Sequence, residues 1–303
     1  MNGFEQALTT GIEGGTIILY PALGELIGER AGVVNLGMEG CMLAGALSAF
    51  AVGAITGSAW LGVLAGIGGG AVVGLAHAWL VVKRHADQLA SGLVLWFLAL
   101  GLTSVLGANY VSQTVTPLPV INVTGLSAIP WIGPIFFEHD SLVYISYFLV
   151  PLIGWALYRT RIGLVLRATG ERPEVVSVAG RRPELVQMGA VVLGAALAGI
   201  GGAQLSVGYV DNWFDDMTNG YGFIAVAVVL FAAWRPWLVM IGAYLFGVAL
   251  AAAGVLQAHG IEVNQYVLDA LPYFVTLVAL VALGRSGGSR APEGLTKALT
   301  NSS

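Results

Sequence analysis

The stretch Glu29-Arg30-Ala31-Gly32-Val33-Val34-Asn35-Leu36-Gly37-Met38-Glu39-Gly40-Cys41-Met42-Leu43-Ala44-Gly45 interrupts a long apolar sequence, and its reading decides the fold. Upstream, residues 8–28 are apolar enough for a membrane helix; downstream, so are residues 36–56. Between them, helix-breaking glycines and the polar Asn35 and Glu39 stand where hydropathy places them in or beside a bilayer. Irregular backbone at that depth is tolerated only where it packs on protein or lines a cavity. An ionisable group there costs at least ~2.5 kcal/mol on insertion scales, so Glu39 should face a cavity or a polar partner. Two roles fit Asn35 and Glu39: lining a translocation path, or tying a helix break to neighbouring backbone.

The rest of the chain points to lipid as the solvent. Its 303 residues are 57% hydrophobic and only 10% charged, where a soluble domain carries about a quarter of its residues charged. Mean hydropathy is +0.82. A formal net charge of −4 leaves no basic footprint for nucleic acid. Cys41 is the only cysteine, which excludes an internal disulfide and a thiolate metal cluster. His77, His85, His139 and His259 are scattered, so neither a metal nor a cofactor is expected.

Crossing the ~30 Å hydrocarbon layer takes roughly 20 apolar residues in a helix. About nine such segments emerge, at 8–28, 36–56, 59–82, 89–110, 141–158, 185–208, 220–234, 237–257 and 268–284. Cationic residues test that count, because cytoplasmic loops collect them. Arg30, the pair Lys83 and Arg84, the group Arg159, Arg161, Arg167, Arg172, Arg181 and Arg182, then Arg235, and last Arg285, Arg290 and Lys297 are each separated by two segments. An outer N-terminus and an inner C-terminus put every one on the cytoplasmic side. The opposite loops, around 109–140, 209–219 and 258–267, hold none and carry Glu138, Asp140, Asp211, Asp215, Asp216 and Glu262. The expected protein is all-α and polytopic, with a transmembrane domain over 1–284 and a polar, disordered cytoplasmic tail over 285–303. Glycines cluster at 66–70 and 194–202, as close helix packing in lipid requires.

A second break lies at Asp215-Asp216-Met217-Thr218-Asn219-Gly220-Tyr221-Gly222-Phe223, ahead of a short span. Interrupted hydrophobic segments in both halves of a chain point to a transporter. On the cytoplasmic side, Pro173 suits a first helical turn, Glu171 and Glu174 suit its positive end, and Gly180 suits its stop. That short helix would expose Val175, Val176 and Val178 and so needs a docking partner. Neither Lys83 nor Lys297 belongs to a phosphate-binding Gly-Lys-Ser/Thr motif, so any ATP is bound by another chain. A proton- or ion-coupled secondary transporter of a small polar solute is the rival, with Glu13, Glu25, Glu39 and Asp269 as its carboxylates. No arrangement of nucleophile, base or paired carboxylates suggests an enzyme.

The stretches Glu29 to Gly45, Leu166 to Gly180 and Asn219 to Pro236 resemble the permease subunits of bacterial ABC importers in the branched-chain amino acid, ribose and nucleoside group. Within it, the chain is most similar to nucleoside or simple-sugar permeases that work with a basic-membrane-protein-type binding lipoprotein. The likeness runs nearly the whole length, through Leu271-Pro272-Tyr273. It implies an importer in the cytoplasmic membrane of a bacterium, built from two permeases, often paralogues, on two cytoplasmic ATPases. It assigns Arg167, Gly170, Glu171, Pro173, Glu174 and Gly180 to the helix that couples to the ATPase. It also places Asn35 and Glu39, with Asn219, Tyr221 and Phe223, near a central pathway. Ala86 to Trp96 resembles a further family stretch and makes Gln88 and Trp96 path candidates. Asp87 and Trp96 stand where the family usually has Asn, and Gln88, near the cytoplasmic face, fits a structural role equally well.

Overall fold

In the computed structural model, residues 3–127 and 129–258 are described, together with positions 267, 270, 274, 278, 281, 282, 291–293 and 295. The described chain is mostly helical. Its principal elements are α1 (Gly3–Arg30), α2 (Met38–Thr56), α3 (Ala59–Ala78), α4 (Gln88–Gly107), α5 (Ile132–Phe137), α6 (Ser141–Arg159), α7 (Arg161–Glu171), α8 (Pro173–Val178), α9 (Pro183–Ala203), α10 (Tyr221–Phe231) and α11 (Pro236–Ala258). Single π-helical turns extend α3 over Trp79–Lys83 and α9 over Gln204–Tyr209. Six of these stretches are long and apolar enough to cross a membrane, which makes the protein a polytopic membrane protein.

Eight of the nine expected segments coincide with a helix, and the ninth, 268–284, lies largely outside the described residues. Two of the eight depart from a plain span. Helix α1 runs 28 residues and carries Glu5, Glu13, Glu25 and Glu29, which keeps it from reading as uniformly apolar. Helix α10 has 11 residues, so at 1.5 Å per residue it covers only about half the hydrocarbon layer. Of the 285–303 tail, only 291–293 and 295 fall within the described residues; there Leu295 is buried and Glu293 lies 3.6 Å from Arg172.

The loop between α4 and α6 holds more structure than its composition suggests. Strands β1 (Val120–Asn122) and β2 (Glu138–Asp140) pair antiparallel around α5. Asp140 then caps α6, its Oδ1 accepting from the amides of Leu142 at 2.7 Å and Val143 at 3.2 Å.

Burial is inverted relative to a soluble protein. The outer faces of α3 and α4 expose Leu64, Val72, Val94, Phe97 and Val105, whereas Glu25, Glu29, Asn35, Glu39, His77 and Gln204 are buried. Lipid solvates the former, and only the protein can supply hydrogen bonds to the latter. Helix α9 sits at the centre, packed on α1, α2 and α3. The two glycine clusters meet there: a Cβ on Gly199 would lie 3.0 Å from the Gly66 carbonyl carbon and 3.3 Å from the Gly70 Cα. Gly24 of α1 and Gly194 of α9 face each other in the same way, a Cβ on Gly194 falling 3.0 Å from the Gly24 carbonyl carbon. With no hydrophobic drive between helices in lipid, this close backbone approach holds the bundle together.

Candidate translocation site

Both breaks are built from residues that look out of place in a membrane sequence. Helix α1 ends at Arg30, and Gly32 turns the chain with φ +89, a conformation that L side chains rarely adopt. Asn35 then folds on itself: its Oδ1 accepts from the Gly37 amide at 2.9 Å, and its own amide donates to Glu25 Oε1 at 2.9 Å. Gln88, at the start of α4, accepts from the Val34 amide at 2.9 Å. The Val34 carbonyl lies 3.1 Å from His77 Nε2. A carbonyl only accepts, so Nε2 carries the proton and Nδ1 accepts from Ser91 Oγ at 3.2 Å. The peptide groups freed by the break are therefore satisfied from α1, α3 and α4.

The second break, residues 210–220, contains positive φ angles at Asp211, Asp216, Asn219 and Gly220. Trp213, 1% exposed, plugs it against Gly107. Helix α10 begins directly afterwards.

Glu39 joins the two. It is 1% exposed, in the first turn of α2, and its Oε1 accepts from Thr218 Oγ1 at 2.6 Å and the Gly220 amide at 2.8 Å. Its Oε2 accepts from the Gly222 amide at 2.6 Å. One carboxylate thus faces the amides opening α10 while standing in the positive first turn of its own helix. Gly222 admits this approach because a Cβ there would lie 2.5 Å from the Glu39 Cα. Beside the junction, Trp96 and Phe223 stack edge to face with centroids 4.9 Å apart.

Of the residues singled out from sequence, Asn35, Glu39, Gln88, Trp96 and Phe223 thus gather around the paired breaks. The side-chain oxygens of Asn35 and Gln88 both accept from backbone amides, and Asn35 Nδ2 faces Met38 Sδ and Cys41 Sγ. Asn219 is exposed, and its amide bonds the Asp216 carbonyl at 3.0 Å. Its neighbour Thr218, which sequence reasoning passed over, is the buried partner of Glu39. Tyr221 lines a cavity of about 430 Å³ with Gln6, Thr10 and Tyr209.

A second set of ties secures the far ends of α1 and α10. Trp234 Nε1 donates to Glu29 Oε2, and Arg30 Nη2 donates to Tyr158 Oη at 3.1 Å and to the Trp234 carbonyl at 3.3 Å. Tyr158 Oη also donates to that carbonyl at 3.0 Å. Glu29 and Arg30 lie about two hundred residues upstream of Trp234, beyond the reach of any periodicity. Trp234→Phe removes the hydrogen bond that Glu29 Oε2 accepts from the indole and leaves a buried carboxylate oxygen short of a donor. The expected cost is about 2 kcal/mol, read as a lower unfolding midpoint in detergent.

The proposed coupling residues divide between anchoring and exposure. Pro173 opens α8, Gly180 ends it with φ +76, and Glu174, Val175 and Val178 are exposed, Val178 at 90%. Val176 is buried and anchors the helix. Arg167 Nε donates to the Leu157 carbonyl at 3.0 Å, and its guanidinium lies 5.2 Å from the Tyr158 ring centre. Gly170 is buried against the first break: a Cβ there would fall 3.0 Å from both the Arg30 carbonyl carbon and the Gly32 nitrogen. Glu171 Oε2 accepts from the Glu293 amide at 3.2 Å.

The model of the family described as "Branched-chain amino acid transport system / permease component" matches residues 8–282. A putative glucose ABC transporter permease protein of Haloferax volcanii is 37% identical over 295 residues, 90% of each chain. A nucleoside ABC transporter permease protein of Lactococcus lactis is 33% identical, covering 91% of this chain and 92% of its own. A guanosine ABC transporter permease protein of Bacillus subtilis is 31% identical, covering 90% and 91%. No solved structure matches the chain.

Proposed function

The chain belongs to the branched-chain amino acid transport system permease family, and from that premise we propose that it carries a nucleoside or simple sugar inward through an ABC importer. It is a transmembrane permease subunit and not an enzyme. The observation that supports a moving path is the Glu39 junction, where one carboxylate holds two broken helices together. The cavity at Tyr221, edged by Tyr209, Gln6 and Thr10, offers aromatic faces and hydroxyl and amide groups suited to a sugar or a base.

The partners in this reading are a cytoplasmic ABC ATPase, a second permease that is a paralogue, and an external substrate-binding lipoprotein. The site is the cytoplasmic membrane of a bacterium, with nine spans within 1–284. Helix α8 is the coupling element, because its exposed Val175 and Val178 want an apolar partner surface while Val176 roots it. Arg167 and Gly170 carry its motion to the end of α1, and ATP-driven closure of the ATPases rocks the spans joined there.

Two surface changes test the docking role. Glu174→Arg and Val178→Asp lie on exposed positions and leave membrane insertion intact. Uptake of labelled nucleoside or sugar in cells holding the complete transporter should fall at least roughly tenfold, the equivalent of about 1.4 kcal/mol of lost docking. Full uptake by both variants overturns the assignment. Competition among unlabelled nucleosides and sugars in the same cells identifies the cargo class.

A further inference from the structure

Between α7 and α9 runs a groove of about 330 Å³, floored by Ile27, Val165, Leu166, Val186 and Ala190. Arg161 and Arg181 stand at its lining, both exposed. Neither side chain forms a salt bridge or a hydrogen bond among the described residues. Of the nearby acids, Glu184 pairs with Lys83 and Glu171 takes the Glu293 amide, and none lines the groove. The fold has therefore sorted a stretch of mixed charge into a purely cationic rim over an apolar floor. By the distribution of Lys and Arg, this rim lies at the cytoplasmic surface of the bilayer.

We infer that the groove between α7 and α9 is a binding site for an anionic phospholipid, its phosphate at Arg161 and Arg181 and its acyl chain along Val165, Leu166 and Val186. Charge complementarity favours this occupant. Two unneutralised guanidinium groups at headgroup level suit a phosphate, which they can hold with bidentate hydrogen bonds. An apolar floor at the same depth suits an acyl chain. A lipid held there wedges between α7, which leads to the coupling helix, and α9, the central helix of the bundle.

The test uses the assembled transporter in nanodiscs containing phosphatidylglycerol and phosphatidylcholine. A fluorophore on a cysteine replacing Ile162, which is 80% exposed and lines the groove, is quenched by spin-labelled forms of each lipid in turn. The wild-type background should prefer phosphatidylglycerol, and each of Arg161→Gln and Arg181→Gln should cut that preference by about fivefold. Arg84→Gln, a cation over the Trp79 ring away from the groove, should leave it unchanged. Equal quenching by both lipids, or a preference untouched by the double variant, overturns the inference. So does cross-linking of the cysteine at 162 to the ATPase or the second permease, which would make the groove a protein interface.

Discussion

Glu39→Ala should abolish uptake and lower the unfolding midpoint of the purified subunit. The carboxylate accepts three hydrogen bonds at 2.6–2.8 Å from Thr218, Gly220 and Gly222, and the residue is 1% exposed. Alanine leaves those donors buried without an acceptor and removes the negative charge from the start of two helices. Each stranded donor costs about 1–3 kcal/mol, so a total loss of roughly 3–5 kcal/mol is expected, with uptake below about a hundredth of wild type. Glu39→Gln separates shape from charge: its amide retains one acceptor, but its NH₂ group must face an N–H or the Thr218 hydroxyl. Only the hydroxyl can turn to accept, so glutamine should fall between wild type and alanine in both uptake and stability. Thr218→Val, which deletes one donor and no charge, should cost least. Near-normal uptake by Glu39→Ala would show that the two breaks need no common anchor.

Gly170→Val should uncouple the transporter. A Cβ at 170 overlaps the Arg30 carbonyl and lies 3.0 Å from the Gly32 nitrogen. That backbone cannot retreat, because Arg30 is held by Tyr158 and Trp234 and Gly32 already occupies a conformation with φ +89. The end of α7 must move instead, by about the 1–3 kcal/mol that overpacking costs. Uptake should drop at least roughly tenfold, while ATP hydrolysis in the assembled complex continues but no longer responds to loaded binding protein. Gly170→Ala should give the same defect in milder form. Gly189→Ala, with nothing within 4 Å of its added Cβ, should behave as wild type. Retained coupling in Gly170→Val would mean that force reaches the spans by another contact, for which Arg167 on the Leu157 carbonyl is the nearest candidate.

The clearest agreement between sequence and structure lies at the helix punctuation. Pro173 and Gly180 bound α8 as their backbone preferences require, since proline fixes φ for a first turn and glycine accepts positive φ at a stop. The glycines of 66–70 and 194–202 pack on each other because small residues in lipid have few other uses. Legibility failed wherever partners are remote. Glu39 reads as a polar anomaly in a span, but the identity of Thr218 and Gly222 as its partners, about 180 positions away, depends on how α2 meets α10. The family resemblance places Asn219 near the central pathway. The geometry of the turn instead exposes Asn219 and buries Thr218.

Composition and apolar run length were enough to establish a polytopic helical protein and the positions of both breaks. These follow from local transfer free energy: each segment either tolerates lipid or does not, whatever the others do. What the breaks are for was decided in three dimensions. A buried carboxylate, an orphan amide or a bare guanidinium takes its meaning from the group that reaches it. Only the packing of α2 on α10 and of α7 on α1 brings Glu39 to the amides of one helix and Gly170 to the carbonyl of another.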